Sequence, residues 1–104
     1  MTVTIKAQTP KTAARRTHRA LQAYAKRIGY STEHLVLNES GPAPMILWEE
    51  GPFEWTMALS GGYSLSAGEF PELGGYTKPC EIKLEDGDWF AEPQTHYSMA
   101  FYKA

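Results

Sequence analysis

Apolar residues recur at two spacings along this chain, and the spacing changes once. From Pro10 to Ile28, Ala13, Ala14, Thr17, Ala20, Leu21, Tyr24, Ala25 and Ile28 recur three and four positions apart. That repeat collects side chains on one face of an α-helix. Thr9 suits its N-cap, Pro10 its first turn, and Gly29 a C-cap that needs positive φ. The spacing predicts a helix over 10–28, with an alanine-rich stripe that can sit close on a flat surface. Elsewhere the repeat is two, as in strands. Thr2 to Ala7 alternates, Leu35-Val36-Leu37 suits a short strand, and Met45 to Glu49 suits a strand covered on both faces. Phe53, Trp55, Met57 and Leu59 alternate with Glu54, Thr56, Ala58 and Ser60. Ile82 and Leu84 alternate before Asp86-Gly87, a two-residue hairpin signal. Asp88-Trp89-Phe90 then starts a return strand, and Tyr97, Met99 and Phe101 alternate with Ser98, Ala100 and Tyr102. Residues 61–79 hold five of the nine glycines and read as a surface excursion.

One pattern occurs twice. WTMALS at 55–60 aligns with YSMAFY at 97–102 as large, small, large. This reads as two sister strands, each with one face on a core, rather than as a functional repeat. The expected fold is an α+β two-layer sandwich. An antiparallel sheet of four to six strands carries the long N-terminal helix on one face. Trp55, Met57, Leu59, Tyr97, Met99 and Phe101 would face the helix. The other face would carry Thr56, Ala58, Ala100 and Tyr102, with Ile46 and Trp48 if strand 45–49 keeps that phase. Such a face is too apolar for solvent and marks a protein interface, unless loop 61–79 covers it.

Composition adds one fact the patterning does not contain. Residues 1–32 hold seven cations and no acid, whereas residues 33–104 hold three lysines against twelve acids. The halves therefore carry +7 and −9 within a net charge of −2. On a helical wheel Arg15, Arg19 and Lys26 point away from the apolar stripe, flanked by Lys11, Arg16 and Arg27. Either this basic face meets an acidic partner, or it neutralises the chain's own acidic half. A single cysteine, Cys80, excludes an internal disulfide. No long apolar leader or span is present, so a cytoplasmic location is expected.

Candidate chemistry is sparse. His18, His34 and His96 match no metal-ligand spacing, and Cys80 has no CxxC partner. Glu85, Asp86 and Asp88 surround a glycine turn, Glu49, Glu50 and Glu54 suit strand ends, and neither Gly-Gly-Tyr stretch has the lysine of a P-loop. No catalytic residue and no cofactor follow. Residues 25–35, AKRIGYSTEHL, resemble a helix-turn-helix, which implies a second helix over Thr32–Glu39 entering the major groove. That helix would carry two glutamates and no Lys or Arg. The expected function is a non-enzymatic binding or accessory module acting through a protein partner or homodimer, of the inhibitory or accessory type that phages and mobile elements carry. The alternative is nucleic-acid binding, through the basic face of helix 10–28 or a degenerate helix-turn-helix at 21–40. A small enzyme is a distant third.

Overall fold

A computed structural model describes residues 2–51, 55–56, 81–85 and 87–104. The expectations for Met57, Ala58, Leu59, loop 61–79 and Cys80 concern residues outside that set. Helix α1 spans Pro10–Ile28, with Thr9 at its N-cap and Gly29 at its C-cap in the left-handed region, φ 84°. The Thr9 hydroxyl accepts from the Thr12 N–H at 3.2 Å, and the Tyr30 N–H closes the far end on the Ala25 carbonyl at 2.8 Å. Among the described residues six strands accompany it: β1 Thr2–Ile5, β2 Leu35–Asn38, β3 Met45–Trp48, β4 Glu81–Leu84, β5 Trp89–Thr95 and β6 Ser98–Lys103. The antiparallel sheet has the order β2-β3-β6-β5, and α1 packs on one face of it. The architecture is α+β, as the patterning predicts.

The helix stripe is the core face. Ala13, Ala14, Thr17, Leu21, Tyr24 and Ala25 are all buried. Thr17 satisfies its buried hydroxyl by donating to the Ala13 carbonyl one turn back, at 2.8 Å. Opposite lie Leu35, Ile46, Trp48, Met99, Phe101 and Trp89. No helix among the described residues is long and apolar enough to cross a membrane.

Four expectations are corrected. First, β4 does not form a hairpin with β5 across Asp86-Gly87. It pairs in parallel with β1, Thr2 facing Glu81 and Ile5 facing Leu84, as a separate two-stranded sheet. The Trp89 indole donates to the Ala7 carbonyl at 2.9 Å and draws the chain away toward β5. Second, no helix spans Thr32–Glu39: Leu35–Asn38 is β2, whose alternating side chains serve a sheet pairing with β3. Third, Trp55 and Thr56 are helical rather than in a strand. Trp55 packs on Trp48 with ring centroids 5.9 Å apart and donates to the Trp48 carbonyl, so tertiary contact rather than alternation sets its backbone. At Trp55 and Thr56 the sister-strand expectation therefore fails, and the rest of that hexapeptide lies outside the described residues. Fourth, Ile46 and Trp48 face the helix. Ile46 pairs with Met99, so it shares Met99's face, and both Ile46 and Trp48 are fully buried. Tyr97 lies in the β5–β6 turn, 43% exposed, and not on the core face.

Candidate functional site

The six cations expected on the exposed face of α1 are all exposed, and their partners divide them into two groups. Arg15 grips Glu39, just beyond β2, with both arms of its guanidinium: Nε reaches Oε1 at 2.6 Å and Nη2 reaches Oε2 at 2.9 Å. Lys11 approaches the same carboxylate at 4.0 Å. This hydrogen bond and the neighbouring positive charges hold the Glu39 carboxyl below its usual range, and the same hydrogen bond with the Glu39 negative charge raises the Arg15 guanidinium above its own. On that flank the basic face neutralises the chain's acidic half. On the opposite flank Arg16, Arg19, Ala20, Ala23 and Arg27 stand at helical spacing and turn toward β1. Arg19, Lys26 and Arg27 form no ion pair among the described residues.

Between this flank and β1 runs a groove of about 380 Å³. Its floor is small and apolar, from Val3, Ile5, Ala20 and Ala23, and Arg16, Arg19, Arg27 and Lys6 rim it. No acid lines it. Lys6, at one end, reaches Glu85 at 3.7 Å, and the Arg16 guanidinium donates to the Lys6 carbonyl. Four consecutive residues, Val3 to Ile5 of β1 and Lys6 just beyond it, contribute to the wall. Over a strand's face only alternate residues would do so; consecutive ones place the groove along the strand's backbone edge. That edge is the one away from β4.

The proposed protein-interface residues scatter. Trp48 and Ile46 are in the core; Thr56 is buried, its hydroxyl donating to the Thr95 carbonyl at 3.1 Å. Ala100 does lie on the outer sheet face, but its methyl is hidden between Met45 and Glu92, its neighbours on β3 and β5. Tyr102 remains half-exposed there, its ring 5.4 Å from that of Phe90. Ala58 lies outside the described residues. The apolar residues this face presents are instead Val36, 48% exposed, and Phe90, 45% exposed. A broader depression of about 590 Å³ lies beside β2 and β3, but two acids, Glu39 and Glu49, line it together with His34. Glu39 already serves Arg15, and His34 stands 3.6 Å from Glu50. Among the described residues no group of His, Cys, Asp or Glu is placed to hold a metal ion. His18 is half-buried on the β2 flank, where Nε2 donates to the Leu35 carbonyl at 3.3 Å.

The basic helix flank was legible in the sequence, but its counterpart was not: Val3, Thr4, Ala20 and Ala23 carry no chemical signature. The available signal was the spacing of Arg16, Arg19, Ala20, Ala23 and Arg27 within an acid-free stretch. No protein family, curated protein or solved structure matches the chain.

Proposed function

We propose that this protein is a binding module that recognises an acidic protein segment in the groove between α1 and β1. One observation carries the reading: a concave site with an apolar floor and four cations on its rim, and no acid among the described residues that line it. Arginine is suited to this task, because its planar fork meets a carboxylate with two parallel hydrogen bonds and sheds water readily. The apolar floor suits side-chain carbon as well as charge. A nucleic acid is the weaker fit. Among the described residues no aromatic side chain lines the groove for bases to stack on, and the chain segment that would supply a recognition helix is strand β2.

The test compares two labelled probes at about 0.15 M salt, where only close charge contacts survive screening. One is a synthetic peptide of alternating glutamate and valine; the other is a short DNA duplex of mixed sequence. The peptide is expected to bind at least tenfold more tightly than the duplex. Arg19→Glu with Arg27→Glu should remove that binding and leave the thermal melt within a few degrees, since neither side chain is tied into the fold. Tighter binding of the duplex would make the site a phosphate-binding one. A double variant that binds the peptide like the parent would place recognition elsewhere.

A further inference from the structure

We infer that the acidic segment binds as an added β-strand along the edge of β1 that faces away from β4, its backbone hydrogen-bonded to Thr4 and its side chains reaching Arg19 and Arg27. The inference rests on the reading of the groove as an acidic-segment site and specifies how that segment is held.

Backbone direction supplies the argument. In a strand the N–H and C=O of one residue point to the same side, and consecutive residues point to opposite sides. The Ile5 carbonyl accepts from the Glu85 N–H at 3.0 Å, so Ile5 faces β4, and Val3 with it. Thr4 therefore directs its N–H and C=O the other way, into the groove. Lys6 has the same phase as Thr4, and its carbonyl does meet a groove residue, Arg16. Among the described residues the main chain of Thr4 takes no hydrogen bond outside the β1–β4 ladder. Arg16 thus closes one end of the edge and Thr4 leaves the middle open, with its side chain exposed.

A short, cation-rimmed edge is also how proteins protect an exposed strand from pairing. Here that protection is selective. A second copy of β1 would bring another Lys6, Arg16, Arg19 and Arg27 against the first set, and like charges reject it. An acidic strand meets the opposite sign. The spacing also matches. Arg19 and Arg27 are eight residues apart on α1, about 12 Å along the helix axis. Carboxylates four residues apart on one face of an extended strand are about 13 Å apart. Strand addition of this kind draws affinity from the main chain and selectivity from alternate side chains, here glutamate or aspartate toward the helix.

Thr4→Pro is the direct test. It removes the outward N–H without touching a ladder bond to β4, a position where an edge strand tolerates proline. The alternating glutamate–valine peptide should bind this variant about tenfold more weakly, with the Arg19 and Arg27 dependence retained. Two further peptides make the test independent of how the variant folds: one N-methylated at every glutamate, the other at every valine. Each blocks one edge of the incoming strand, so only one of them should lose binding to the unmodified protein. Equal binding of both methylated peptides, or equal loss in both, overturns strand addition. If the parent peptide still needs Arg19 and Arg27 in that case, the acidic-segment reading survives alone. No binding of the parent peptide defeats both proposals. A concentration-dependent dimer dispersed by the peptide would make a second copy the occupant and overturn the inference.

Discussion

Gly51 lies so close beneath the Trp48 indole that a methyl group there would sit 2.6 Å from Cδ2 and 2.8 Å from Cε3. Those are overlaps with a ring that cannot yield. Trp48 is fully buried, its Nε1 donating to the Ser31 carbonyl at 3.3 Å and its face packed against Trp55. Tyr30 meets it edge-on, with centroids 6.3 Å apart. Gly51→Ala should therefore cost about 1–3 kcal/mol, the range for overpacking a filled core. Chemical denaturation measures it as a lower midpoint at unchanged slope. At this scale the sequence is only half legible. Glycine followed by proline marks a turn, as Gly51-Pro52 does, but nothing in a turn signal says that an indole occupies the space where a side chain would go. The three buried indoles share one solution, each donating to a main-chain carbonyl: Trp48 to Ser31, Trp55 to Trp48 and Trp89 to Ala7. Those partners come from tertiary packing, so no local pattern announces them.

Between elements, the one charged clasp with good geometry among the described residues joins α1 to the end of β2 through Arg15 and Glu39. Its acid dependence has a definite sign. The folded carboxyl of Glu39 is held below its usual range, so its contribution is complete above the ordinary glutamate range and fades as pH falls through the depressed value. Glu39→Gln should flatten the loss of thermal stability as pH falls through and below the ordinary glutamate range. A midpoint-against-pH curve parallel to that of the parent would show that the clasp adds nothing. The helix itself was readable because cap, stripe and stop agreed, and Thr9, Leu21 and Gly29 all do what the pattern asks of them. The sheet was readable only in part. Met45-Ile46-Leu47-Trp48 is apolar at every position, so alternation carries no phase there. Only the register with β6 reveals that Ile46 and Trp48 face α1. Asp86-Gly87 is a local turn signal, and it cannot foretell that β4 has a partner at the other end of the chain. The groove shares that blindness: its cations could be read from the helix, but its wall exists only because β1 pairs with β4.

For the molecule as a whole, that pairing joins two strands far apart along the described chain. Thr2 faces Glu81, 79 positions away, whereas the β2–β3 and β5–β6 pairs form between near neighbours in sequence. Closing so long a loop demands chain entropy before any contact rewards it. The four-stranded sheet and α1 can assemble first, with the two-stranded sheet closing afterwards on the flank of the helix. The same order should govern opening of the native protein. Amide hydrogens of Val3 and Ile5 should exchange with solvent deuterium through a partial opening, well before those of Met99 and Phe101, which should wait for global unfolding. Exchange rates measured amide by amide check this; equal protection in β1 and β6 would mean one cooperative unit. A bound strand lying on Thr4 would have to leave before β1 could detach, so saturating peptide should slow exchange at Val3 and Ile5, although neither amide touches it. The least stable part of the fold would thus be the part that reports occupancy, and its breathing would sense the partner at a distance from the contact itself.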